Sequence, residues 1–247
     1  MDMFPQGHRT TFGFRAPLTA IGKKMLILYA AIYVVELICE HWLAIPVYRW
    51  LALWPIGSGG FHLWQLITHP LLHDPGAPIG FLINCLVFYF FAGTIESSLG
   101  TRRFITLYAV AAYGGALIGL LFGLLTAFGA PFAGMLPSLL TLIVVFGLLR
   151  PEAIVLLMFV LPVKAKYISY GTVIITFLTF LAKANVHGAF HLGGILCGFL
   201  YVRPSGPWWS INYWRWKYFE SKQKRRRSRF TVIDGKSSDD DNPPTIH

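Results

Sequence analysis

Residues 188–198 read Gly-Ala-Phe-His-Leu-Gly-Gly-Ile-Leu-Cys-Gly, and the fold turns on this stretch. One ionisable side chain, His191, opens an apolar segment that continues to about Tyr201. Gly194 and Gly198 are four apart and share a helical face. That small-xxx-small spacing lets a second membrane helix approach to backbone contact. A histidine at the mouth of such a groove points to function, because an ionisable group in lipid is costly unless something uses or pairs it. The competing reading is a histidine held near the headgroups, its polar tip in water.

The surrounding composition places the segment in a bilayer. Of 247 residues, 55% are hydrophobic and 13% charged, roughly half the charged fraction of a soluble domain. Mean hydropathy is +0.57. Cys39, Cys85 and Cys197 all lie in apolar segments with no CxxC pair, so neither a disulfide framework nor a thiolate zinc site is implied. No metal or other cofactor is expected. The net charge of +10 would suit nucleic acid, yet the positive residues gather at segment ends and in one tail, as membrane orientation requires. No nucleic-acid partner is expected. Residues 1–20 are polar and interrupted by Pro5 and Pro17, and they show no signal-peptide pattern.

A spanning helix needs roughly 20 apolar residues. Six candidates follow: Met25 to Ala44, Ile79 to Glu96, Phe104 to Phe128, Gly134 to Leu149, Lys164 to Ala182, and the opening stretch to Arg203. The first carries Glu36 and Glu40 on one face, which must meet protein or water. Between the first two lies a Pro-, Gly- and Trp/His-rich linker, Ile45 to Pro78, read as structure in the outer interface. The third carries Gly115 and Gly119, a second close-packing face. Glu152 to Pro162 is apolar but too short to cross, and is placed at the interface. Lys23, Lys24, Arg102, Arg103, Arg150, Lys164 and Lys166 all fall on one side, with only Arg49 and Lys183 opposite. The positive-inside rule puts both tails in the cytoplasm. The expected division is an N-terminal tail (1–24), a membrane domain (25–203) and a C-terminal tail (204–247).

That last tail interleaves aromatics with basics, Trp214-Arg215-Trp216-Lys217, and then runs through Lys222, Lys224, Arg225, Arg226 and Arg227 to an acidic end. Beside a membrane helix, such a run reads as an anchor on anionic lipid.

Several short stretches together resemble the rhomboid family of intramembrane serine proteases, over roughly residues 25–203. They are Leu63-Trp64-Gln65-Leu66-Ile67-Thr68 with His73, Phe81-Leu82-Ile83-Asn84, Gly93-Thr94-Ile95-Glu96 with Gly100-Thr101-Arg102-Arg103-Phe104, Pro162-Val163-Lys164-Ala165-Lys166, and Ala189-Phe190-His191-Leu192-Gly193-Gly194. Each is weak alone; their order and spacing are specific. The resemblance implies an all-α, polytopic, six-transmembrane-helix bundle. It also implies a serine nucleophile on the fourth helix, served by a histidine on the sixth as general base. His191 matches the base. Asn84 matches an amide that faces the developing oxyanion.

Two matches fail. Counting back from Pro151 sets Gly134-Met135-Leu136-Pro137 on the family's Gly-x-Ser-Gly motif, so Leu136 holds the nucleophile position. Gly80 stands where a companion histidine precedes Asn84 by four. Thr141 replaces a glycine through which the fourth helix approaches the sixth. Ser138 is about 200° around the helix from Leu136, which makes it a poor substitute nucleophile. The expected function is that of a pseudoprotease, which binds transmembrane segments of client proteins without cutting them. The alternatives are an active rhomboid serine endopeptidase and, on the His69/His73 and His187/His191 spacings, a metal-dependent membrane hydrolase. The expected location is multi-pass in a membrane, a bacterial inner membrane fitting best, with membrane lipids as further partners.

Overall fold

The computed structural model describes residues 18–126, 131–157, 161–183 and 186–203. The basic tail with Lys222, Lys224, Arg225, Arg226 and Arg227, and the first seventeen residues, lie outside the described residues.

Helix α1 (Ala20–Leu37) starts earlier than the apolar run suggests, because Thr19 caps it by accepting a hydrogen bond from the Gly22 amide at 3.1 Å. It runs on through a π-helical turn, Ile38–Trp42. There the two acidic residues find their use. The Glu36 carboxylate accepts the His73 amide at 3.1 Å and Glu40 accepts the Tyr48 amide at 2.7 Å. Both satisfy backbone donors that irregular chain leaves without partners.

The linker is folded. It contains α2 (Val47–Leu51), α3 (Gln65–Thr68) and a 3₁₀ turn, His69–Leu71. Gln65 organises it. Its side-chain oxygen accepts from the Trp54 and His62 amides at 3.2 and 3.1 Å, and its nitrogen donates to the Trp50 and Gly60 carbonyls at 3.2 and 2.9 Å. The side chain is fully buried, and these four bonds satisfy an amide that would otherwise be expensive to bury.

Helix α4 (Pro78–Leu99) opens on proline, whose missing amide costs nothing at a helix start. Gly100, at φ +81°, turns the chain into α5 (Thr101–Thr126). Glu96, at this turn, accepts from the hydroxyls of Thr101 (2.7 Å) and Thr19. That pins the start of α1 beside the end of α4, so the two helices run antiparallel.

Helix α6 (Leu136–Leu149) is short, and its start lies inside the protein. A Cβ on Gly194 would touch both Pro137 and the Ala111 carbonyl. Position 137 is therefore level with position 111, about 15 Å up α5 from Thr101. Above it the backbone is irregular but paired. Leu53 and Phe132 exchange two 2.9 Å hydrogen bonds, and the Gly134 amide donates to the His69 carbonyl at 2.8 Å. Non-helical backbone at membrane depth survives only when enclosed in this way.

The all-α expectation needs one correction. The stretch after α6 forms an antiparallel hairpin, β1 (Ile154–Leu157) and β2 (Leu161–Lys164), with Ile154 opposite Lys164. Hydrogen bonds from Lys164 and Lys166 to Glu152, at 2.7 and 2.5 Å, close its base and hold the Glu152 carboxyl down to about 2. Helices α7 (Ala165–Lys183) and α8 (Val186–Val202) complete the chain.

By length and apolar composition α4, α5 and α7 can each cross a membrane, while α6 and α8 are apolar but shorter. One core joins α1, α4, α5 and α6 around Phe88, Phe104 and Leu142. A second joins α5, α8 and the linker around Leu53, Phe132 and Phe190.

Candidate functional site

Helix α8 lies antiparallel to α5 at very close range. A Cβ on Gly115 would stand 2.6 Å from the Phe190 carbonyl oxygen, and one on Gly119 would stand 3.2 Å from both Phe132 and Phe190. Toward α6, Gly194 meets Pro137 and Gly198 meets the Thr141 side chain, whose hydroxyl is turned back to the Pro137 carbonyl at 2.9 Å. A threonine fits against α8 because Gly198 leaves room for its methyl.

These contacts fix a register. Pro137 to Gly194 and Thr141 to Gly198 have the same offset, so α6 and α8 run parallel and position 134 is level with His191. Leu136 lies about 3 Å deeper. On the helical wheel His191 is about 20° from Gly198, and so on the face of α8 that packs on α6. Leu136 is about 20° from Gly147, which packs on Ser169 of α7. The first turn of α6 and His191 thus border one sector, within one helical turn of each other in depth.

Ser138 takes no part in that sector. It is fully buried and its hydroxyl donates to the Tyr108 carbonyl of α5 at 2.8 Å. Asn84 is half-buried in the second turn of α4, and His191 is half-buried on α8. Among the described residues neither side chain makes a hydrogen bond. Gly80 is exposed, and a Cβ there would meet nothing closer than Ala77 at 3.6 Å, so the position has room for a larger side chain.

The linker roofs this sector. His69 is fully buried, with Nδ1 on the Gln65 and Leu66 carbonyls at 3.0 and 3.1 Å and its ring edge-on to Tyr113, Phe132 and Phe190. His73 is enclosed by the rings of Tyr29, Tyr33 and Phe81, and neither ring nitrogen has a partner. Burial pushes both imidazoles down to about 4, so both are neutral at pH 7. Gly134, at φ +99°, sits against the Leu72 carbonyl, where a side chain would be strained. The linker therefore clamps the start of α6 directly.

The His-x3-His spacing of His69 and His73 does not form one helical face. His69 lies in the 3₁₀ turn, and Leu72 is extended before His73. His62 is exposed and stacks on Trp64 at 4.3 Å. Among the described residues no three His, Cys, Asp or Glu side chains are grouped to hold a metal ion.

The comparison with known families then decides the lineage. The family model described as a rhomboid domain matches residues 60–206, well over half of the chain. The chain belongs to the rhomboid family. With its apolar helices, this rhomboid protein is an integral membrane protein. No curated protein matches it. Sequence reasoning missed Gln65, Glu36 and Glu40 as organisers of the linker. For the two carboxylates the signal was present: acidic residues late in an apolar helix must have partners.

Proposed function

We propose that this rhomboid protein binds transmembrane helices of other membrane proteins without cutting them. One observation carries the reading. Leu136, which the rhomboid resemblance sets at the nucleophile position, has no nucleophilic atom, while the hydroxyl of Ser138 is committed to α5. A general base with no hydroxyl to deprotonate has no proton-transfer role. In this reading α1 and α4 to α8 all cross the membrane, with both tails in the cytoplasm of a bacterial inner-membrane protein.

The polar groups of the old site then bind instead of catalysing. A client helix enters beside α4 and α7, whose outer faces expose Leu82, Ile83, Ile174 and Leu178. Where that helix is kinked or polar, Asn84 and His191 supply the hydrogen bonds its backbone lacks. Helix association in lipid gains little from apolar contact alone, so such polar partners matter. The runner-up is an active serine endopeptidase, favoured by the retained His191 and Asn84.

The test reconstitutes the full chain with labelled model transmembrane substrates. Wild type is expected to crosslink substrate and yield no product. Leu136→Ser is expected to restore little, because Gly80 and Thr141 remain. Product formed by wild type and abolished in Ser138→Ala would overturn the proposal. So would hydrolysis lost on chelation, which would point to a metal.

A further inference from the structure

A cavity of about 630 Å³ lies among α5, α6, α7 and α8, running from beside Leu192 and Gly193 toward Pro151 and Lys166. Its apolar wall includes Ile118, Val144, Val173, Leu192, Leu196 and Phe199. Midway along it the Ser169 hydroxyl is already satisfied, donating toward the Ile143 carbonyl at 2.9 Å and the Ala165 carbonyl at 3.2 Å. A lining this dominated by apolar side chains suits hydrocarbon and rejects a polar guest.

The two ends of the cavity differ. One end is closed by helix contact, since a Cβ on Gly188 of α8 would lie 2.8 Å from the Phe180 backbone of α7. From there α7 and α8 enclose a wedge that runs toward Pro151 and Lys166. This mouth is cationic. Lys164 and Lys166 share the single carboxylate of Glu152. Arg150 stands exposed one turn of chain away, where the Ala153 amide donates to its carbonyl at 3.1 Å. Three positive groups against one negative leave a net +2.

We propose that this wedge holds an acyl chain of an anionic phospholipid, with the phosphate at Lys166 and the adjoining positive charges. Position 166 is the second residue of α7, so the mouth lies where a spanning helix meets the headgroups. An acyl chain descends from that level and ends inside the bilayer. A client helix is the wrong shape, because it must extend roughly 30 Å across the hydrocarbon and the Gly188–Phe180 contact blocks its path. The assignment is independent of whether the protein cuts or only binds helices.

The test is native mass spectrometry of the full chain, exchanged into mixed micelles of phosphatidylglycerol and phosphatidylcholine. Wild type is expected to retain phosphatidylglycerol preferentially. Lys166→Gln is expected to lower that retention about fivefold and leave phosphatidylcholine unchanged. Val173→Trp fills the wedge and is expected to lower both, with folding checked by thermal melting. If that variant fails to fold, Leu196→Trp replaces it. A photoreactive group at Leu196, activated in native membranes, is expected to give a lipid adduct. Equal retention of the two lipids by wild type, unchanged occupancy in the filled variant, or an adduct to a second polypeptide would each overturn the proposal.

Discussion

Replacing His73 by phenylalanine tests the account of the linker most directly. The ring is 6% exposed and lies 4.9 Å from Phe81 and 5.9 Å from Tyr29, centroid to centroid, and neither nitrogen has a hydrogen-bond partner. His73→Phe therefore removes an unmet polar group and keeps the aromatic packing. At pH 7 the expected change in stability is within about 1 kcal/mol of zero. The larger effect appears in acid. Burial holds the folded pKa at about 4, below the ordinary 6.5, so the unfolded chain takes up the proton first. Stability is full above pH 6.5 and is lost as the pH falls toward 4, at about 1.4 kcal/mol per pH unit, or about 3 kcal/mol in total from this side chain. His69 adds a parallel loss. The assay is denaturant or thermal unfolding in detergent at intervals from pH 7.5 to 4.5. The variant's acid limb should be shallower than wild type by about 1.4 kcal/mol per pH unit below pH 6.5. The carboxylates titrate in both proteins and cancel in the comparison. Parallel acid limbs, or a loss above about 2 kcal/mol at pH 7, would show that His73 carries a charge or a bond that this geometry does not contain.

Gly198→Ala is expected to destabilise by about 1–3 kcal/mol, since its methyl would overlap the Thr141 side chain. Thr141→Ala in the same chain should recover most of the loss, and a double-mutant cycle on melting curves reads the coupling directly. Gln65→Leu removes four hydrogen bonds made by a fully buried side chain and is expected to cost about 2–3 kcal/mol. Its signature is fast limited proteolysis between α2 and α4 while the helical circular dichroism persists; a linker as resistant as wild type would contradict the role assigned to Gln65.

Much of the helical scaffold was legible because its signal is local. Apolar runs of spanning length, bounded by basic residues or by Gly100, mark α4, α5 and α7 without any knowledge of their neighbours. Boundaries were less legible. Capping by Thr19 extends α1 back to Ala20, and the start of α6 at Leu136 depends on a linker some sixty residues earlier in the chain. From sequence, Glu152 to Pro162 reads only as an interfacial stretch and Lys164 as a helix start, where the chain forms the Ile154–Lys164 hairpin, since an apolar run of that length has no period that separates strand from short helix.

The candidate site divides in the same way. Sequence alone determined that position 136 is leucine, that position 80 is glycine, and that His191 and Asn84 are present. It also gave the glycine spacings, because residue identity and helical periodicity need only the order of the chain. The direction in which the Ser138 hydroxyl points was decided by the packing of α6 on α5, which supplies the Tyr108 carbonyl. Tertiary structure likewise decided that Glu36, Glu40 and Gln65 hold the linker, and that His73 sits in a cage of rings. The partners of Glu36 and Ser138 lie 37 and 30 residues away in sequence, and only the folded chain brings together donors and acceptors that no local pattern relates.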